Sequence, residues 1–98
     1  MLTSKQRASL RACANKMETI IQVGKDGIND NLIAQTDSAL EARELIKLRV
    51  LETAPLTSRE AAFELADATN SESVQIIGTR FVLFRRNKDK AKYDYLLK

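Results

Sequence analysis

Apolar positions along this chain follow two alternating periods, and the switches between them mark the elements. Thr3 and Gln6 form a capping box, in which each side chain meets a backbone donor of the other's turn. Leu10, Ala14 and Met17 follow at helical spacing, with Lys5, Arg7 and Arg11 elsewhere around the cylinder, so a first helix is predicted. A β-branched run, Thr19 to Val23, predicts a strand. Asn29 is then a natural N-cap with Asp30 in the first turn, and Leu32, Ile33, Thr36, Ala39 and Leu40 trace one face of a second helix ending near Arg43. From Glu44 to Leu51 the period drops to two. Ile46, Leu48 and Val50 point one way, Lys47 and Arg49 the other, which predicts a half-buried strand with two cations on its exposed side.

Pro55 closes the next connection, and a second capping box, Thr57 to Glu60, opens a third helix with Leu56 and Ala61 placed as a hydrophobic staple. Ala61, Ala62, Leu65 and Ala68 give that helix a small-residue face, and Asn70 suits the left-handed cap. Ser73–Ile77 and Arg80–Arg85 flank Gly78-Thr79, a hairpin with glycine first in a type II′ turn. An unbroken register sets Ile76 opposite Phe81 and Val74 opposite Leu83. Gln75, Ile77, Arg80, Val82 and Phe84 then share a mixed second face, which the first helix is placed to cover.

The element order is α-β-α-β-α-β-β. Right-handed crossovers advancing in one direction put the second and third helices on one face of the sheet, giving a two-layer α/β sandwich. Residues 1–86 read as one domain. Residues 87–98 read as a basic tail, frayed as far as Lys92, with Tyr93 to Leu97 either a short helix or loose.

Composition narrows the chemistry. The 98 residues suffice for one core, and no apolar run approaches a membrane span. Histidine is absent, which removes the commonest general base and metal ligand. Cys13 is the single cysteine, so an intrachain disulfide is impossible and a reducing, cytoplasmic setting is expected. It reads as a small packing residue. No enzyme activity, metal or cofactor is expected, nor is an obligate dimer. The net charge of +3 hides a segregation. Lys5, Arg7, Arg11 and Lys16 stand at the start without an acid among them, and Arg80, Arg85, Arg86, Lys88, Lys90 and Lys92 crowd the end. Glu52, Glu60, Glu64, Asp67 and Glu72 dominate the stretch between. A basic, acid-free start also resembles a mitochondrial presequence, but this one is short, capped and runs straight into a strand. Segregated basic charge is the footprint of a nucleic-acid binder.

Gly24-Lys25-Asp26-Gly27 sits where the first strand meets the second helix. Lacking a Cβ, glycine lets a ligand approach the main chain, and the following helix turns its free N–H groups and positive dipole end toward the bend. Such a junction can hold phosphate, and GXXG loops of KH-type modules clamp the nucleic-acid backbone. Gly27 is followed by Ile28-Asn29, not Lys-Ser/Thr, so the pattern of nucleotide-binding P-loops fails.

Five segments together resemble the YhbY-like CRM domain: Leu2–Gln6, Ile21–Ile28, Ala39–Lys47, Val74–Gly78 and Phe81–Arg85, in order and in register. The resemblance implies a four-stranded mixed sheet with the final strand between the second and third, like the C-terminal domain of a bacterial translation initiation factor. It also implies RNA binding, stand-alone bacterial members being associated with precursors of the large ribosomal subunit and plant members with organellar intron splicing. The family's GXXG loop falls on Gly24 to Gly27, its Glu-Leu-Ile-Lys strand on Glu44 to Lys47, and its Leu-Tyr-Arg strand end on Leu83-Phe84-Arg85. Asp26 departs from the usual glycine or asparagine, Phe84 from tyrosine, and Asn70-Ser71 from Thr-Gly.

The expected function is therefore binding of ribosomal RNA during large-subunit assembly. Gly24, Lys25, Asp26 and Gly27 form the expected contact loop, flanked by Lys47, Arg49, Arg80, Arg85, Lys5, Arg7, Arg11 and Lys16. With few aromatic residues free to stack, backbone and shape recognition is expected over base reading. Two alternatives stand beside it: a protein adaptor using Ile77, Val82 and Phe84, and a nucleotide-phosphate enzyme using the same loop.

Overall fold

Helix starts are where sequence and structure agree most closely. In the computed structural model, which describes residues 2–87, 89 and 91–93, both capping boxes form. Thr3 Oγ1 accepts from the Gln6 N–H at 3.1 Å and Gln6 Oε1 from the Thr3 N–H at 2.8 Å, opening α1 (Ser4–Ala14). Thr57 and Glu60 repeat the arrangement at the head of α3 (Ser58–Thr69), which Asn70 ends in the left-handed conformation at φ 55°. Between them come β1 (Thr19–Val23), α2 (Asp30–Arg43) and β2 (Leu45–Val50); β3 (Glu72–Ile77) and β4 (Arg80–Phe84) follow α3. Gly78 adopts φ 58° while Thr79 does not take a positive φ, in keeping with a type II′ turn.

The sheet runs β1-β2-β4-β3, with β1 parallel to β2 and β4 antiparallel to both its neighbours. The final strand thus lies between the second and third. Its insertion leaves β2 and β3 parallel, so the helices that precede β2 and β3 each begin at the same end of the sheet. They pack on the same face: Leu32 and Leu40 of α2 and Ala61, Ala62 and Leu65 of α3 close over Ile21, Val23, Ile46, Leu48, Val50, Phe81 and Leu83. Ala68, expected on that buried face, is exposed, and Thr69 takes the inward position with its hydroxyl donating to the Leu65 carbonyl at 2.6 Å.

The opposite face is covered by α1 over part of its length. Leu10 and Ala14 pack with Leu45, Val74, Val82 and Phe84. Val74 is a correction to the unbroken hairpin register. It faces α1, not Leu83, because a bulge falls between Ser73 and Gln75 and Ser73 pairs with Leu83 instead. One extra residue reverses the facing of everything before it, and here it converts a helix-layer contact into an α1 contact.

Helix α2 joins β2 through Glu44 alone, at φ 65° and ψ −49°, a strained backbone for a residue with a side chain. The Glu44 N–H donates to the Leu40 carbonyl at 2.8 Å, and Glu44 accepts three further hydrogen bonds from residues after β4. Its carbonyl accepts from the Arg85 N–H at 2.9 Å, and its buried carboxylate accepts from the Asn87 N–H at 2.9 Å and from the Lys92 N–H. Tyr93 then meets Phe84 edge-on, with centroids 6.4 Å apart. The expected fraying to Lys92 is not seen at Asn87 and Lys92, because a buried carboxylate supplies acceptors for both amides; residues 94–98 lie outside the described residues.

Glu44→Ala leaves those two amides without acceptors and is expected to cost about 1–3 kcal/mol. For a domain of this size that lowers Tm by roughly 5–20 °C. Hydrogen exchange at Asn87 and Lys92 should accelerate selectively; unchanged protection at both amides would show that the carboxylate does not anchor this segment.

Candidate nucleic-acid interface

Strand β1 delivers the chain to Gly24, and the Gly27 N–H donates back to the Gly24 carbonyl at 3.0 Å. The four residues therefore form a β-turn whose tip, Lys25-Asp26, is exposed. The two glycines have different tasks. Gly27 is buried at φ 64°, and a Cβ there would meet Pro55 Cγ at 3.2 Å, so it closes the bend against the segment leading into α3. Gly24 has ordinary backbone angles, and a Cβ would meet only Leu51 Cδ1 at 3.9 Å. One side of the bend is filled and the other is open.

Helix α2 begins immediately after. Asn29 Oδ1 accepts from the Leu32 N–H at 2.9 Å, so Asn29 supplies the cap. The open side of the loop continues into a hollow of about 330 Å³ whose lining includes Gln22, Lys25, Asn31 and Gln35. Those carboxamides escaped the sequence reading, which weighed charges alone. The i, i+4 spacing of Asn31 and Gln35 at the head of a helix that follows a glycine turn was the available signal.

The cations fall into three groups. Strand pairing sets Gln22 beside Arg49, Arg49 beside Arg80, and Arg80 beside Ile77, a row across all four strands at the end that carries the loop. Lys47 lies one pair inward, beside Val82 on the α1 face, and Lys16 follows the α1 C-cap, Asn15. Among the described residues the side chains of Lys25, Lys47, Arg49 and Arg80 make no hydrogen bond or ion pair. Arg7 and Arg11 form the second group, on the flank of α1 beside the β3 edge, where the Arg7 guanidinium donates to the Ser73 carbonyl. Lys5 is exposed on the same helix.

Arg85 stands apart. It donates to Asp37 Oδ1 at 2.6 Å, Glu41 Oε2 at 3.2 Å, the Asp37 carbonyl at 3.0 Å and the Thr69 carbonyl at 2.8 Å. Those partners belong to the C-terminal halves of α2 and α3, the end of the sheet away from the glycine loop. Arg85 therefore does not join the loop cluster. It clamps the two helices, and only 20 % of its side chain is exposed.

The acids of the middle stretch that lie on α3, Glu60, Glu64 and Asp67, are exposed on the helix layer, behind the sheet from Lys47, Arg49 and Arg80. Of the apolar residues that an adaptor surface would use, Val82 and Phe84 are buried beneath α1 and Ile77 alone is exposed. Among the described residues no group of three His, Cys, Asp or Glu is placed to hold a metal, and no helix is long and apolar enough to cross a membrane.

The family model for the CRS1 / YhbY (CRM) domain matches residues 2–85. The chain is similar to the Probable RNA-binding protein YqeI of Bacillus subtilis, 43% identical over 94 residues that make up 96% of this chain and 98% of that protein. It is also similar to the Probable RNA-binding protein MJ0652 of Methanocaldococcus jannaschii, 37% identical over 94 residues, 94% of this chain and 69% of that one. Among solved structures it superposes on the hypothetical protein SAV1595 from Staphylococcus aureus with a TM-score of 0.77 and 48% identity, covering 90% of this chain and 92% of that one.

The glycine pair separates under substitution. Gly27→Ala is expected to lose about 1–2 kcal/mol or more, from the left-handed angle and the Pro55 contact, whereas Gly24→Ala should be neutral or gain up to about 1 kcal/mol. Chemical denaturation of the two variants measures this; equal losses would contradict the division of roles.

Proposed function

The chain belongs to the CRS1 / YhbY (CRM) domain family, and from that membership and the loop geometry we propose that it binds RNA across the Gly24–Gly27 turn and the cations beside it. The observation that carries the reading is the pairing of Arg49 with Arg80. Like charges directly opposite one another on adjacent strands are destabilising, and among the described residues neither guanidinium has a carboxylate to offset the other. Local chemistry that works against the fold marks a position kept for another purpose. An anionic strand laid along the row supplies the missing counter-charge.

In this reading the open side of Gly24 admits a phosphate to the main chain, Lys25 neutralises it, and Arg49, Arg80 and Lys47 hold the phosphates that follow. Asp26 stands at the exposed tip and sets an upper limit on how closely phosphate packs there. Gln22, Asn31 and Gln35 add uncharged donors for sugar and phosphate oxygens. The RNA is proposed to be ribosomal, in a precursor of the large subunit, supported by the likeness of Gly24–Gly27 and Glu44–Lys47 to stand-alone bacterial members of the family. The reading assigns no chemical step, since the cluster holds cations and amides and the chain has no histidine.

Arg80→Glu tests the central observation, because it should raise stability and lower affinity together. Replacing a like pair by an opposite one is worth about 0.2–1 kcal/mol in stability. Combining Lys25→Ala, Arg49→Ala and Arg80→Ala should flatten the log–log salt dependence of single-stranded RNA binding by about 2, at roughly 0.7 for each phosphate no longer neutralised. Arg85→Ala should lower Tm without changing that slope. An unchanged slope in the triple variant would overturn the proposed surface.

A further inference from the structure

Helix α1 stops short of the loop end of the sheet, and where it stops there is a recess of about 220 Å³. Asn15, Lys47, Gln75, Ile77, Arg80 and Val82 line it, with Phe81 behind. The recess is smaller than the roughly 300–1,000 Å³ of sites that take drug-sized ligands, and suits a single heterocyclic ring. Its walls are mixed in a particular way. Asn15 and Gln75 each offer a carboxamide with both donor and acceptor, Lys47 and Arg80 offer donors only, and Ile77 and Val82 offer apolar surface. Among the described residues none of the four polar side chains has a partner. Ile77 is 62% exposed, the most exposed large apolar residue described, and packing does not account for it.

The recess is continuous with the proposed RNA surface. Gln22 lines the hollow beside the glycine loop, and Arg80 lines the recess. The row Gln22, Arg49, Arg80 joins them over two strand spacings. That is about 10 Å, no more than about three nucleotides at the stacked spacing of roughly 3.4 Å.

We propose that this recess receives one unpaired nucleobase of the bound RNA, guanine in preference to the others. Donors outnumber acceptors on its walls, and guanine presents two acceptors, O6 and N7, on one edge, the pattern that arginine and lysine read. The carboxamides of Asn15 and Gln75 complement the remaining donor and acceptor positions, while Ile77 and Val82 cover the ring faces. A paired base cannot enter, so the protein selects single-stranded or looped RNA at this point. This inference rests on the RNA-binding reading above and adds base selectivity to a surface otherwise made for phosphates.

The test uses a short oligouridylate, the same strand with one central guanosine, and the same strand with one central abasic site. The guanosine strand should bind about five- to hundredfold more tightly than the abasic one. In an Asn15→Ala, Gln75→Ala variant with Tm near that of the parent chain, this ratio should fall toward one. Guanosine monophosphate should also shift the side-chain NH2 resonances of Asn15 and Gln75 more than uridine monophosphate does. Equal affinity for all strands, or a ratio unchanged in the variant, overturns the base site and leaves phosphate binding standing. Failure of every strand to bind overturns both.

Discussion

Two arginines set face to face by the pairing of their strands are the constraint on which this protein turns. Arg49 and Arg80 have no local reason to be neighbours: one is the penultimate residue of the second strand, the other begins the fourth. The antiparallel insertion of β4 beside β2 brings them together and fixes the spacing. The side chains repel, and the sheet tolerates it because Ile46, Leu48, Phe81 and Leu83 on the reverse of the same two strands are buried in the main core. Apolar burial of that kind contributes about 1.5–3 kcal/mol for each large side chain, against a few tenths to one for the unfavourable pair. Burial wins, and the positive potential remains available at the surface.

The two ends of the molecule thus have opposite electrostatic characters for one topological reason. Both helices of the main layer start at the loop end and finish at the other. At the far end carboxylates meet their donors: Asp37 and Glu41 hold Arg85, and Glu44 holds the amides of Asn87 and Lys92. At the loop end, where both helices begin, Lys25, Arg49 and Arg80 have no carboxylate partner among the described residues. Charges are satisfied at the far end, and the surface proposed for RNA lies where they are not. A substitution at Arg85 and one at Arg80, identical in formal charge change, therefore belong to different experiments.

Much of this was legible in the residues. Both capping boxes, the asparagine cap of the third helix, the period-two strand expected over Glu44 to Leu51 and found as Leu45–Val50, and the glycine-first hairpin turn depend on interactions within a few positions, and each formed where its pattern indicated. The coverage of Val82 and Phe84 by the first helix followed from the need to bury a mixed face. What escaped were features that depend on a distant partner or a single inserted residue. The bulge beside Ser73 turned Val74 to the other side of the sheet, and the buried Glu44 carboxylate accepts from the amides of Asn87 and Lys92.

Alone, then, the chain's pattern of apolar and polar positions determined the element order, the caps and the position of the glycine turn, because these are decided by bonds and contacts over one or two turns of backbone. Tertiary structure decided which cations are free. A guanidinium is the same group at Arg49, Arg80 and Arg85, and only the packing of helices against the sheet brings carboxylates to Arg85 and, among the described residues, none to the other two. Charge can be counted along a sequence, but whether a charge is already neutralised depends on what the fold brings within about 4 Å of it.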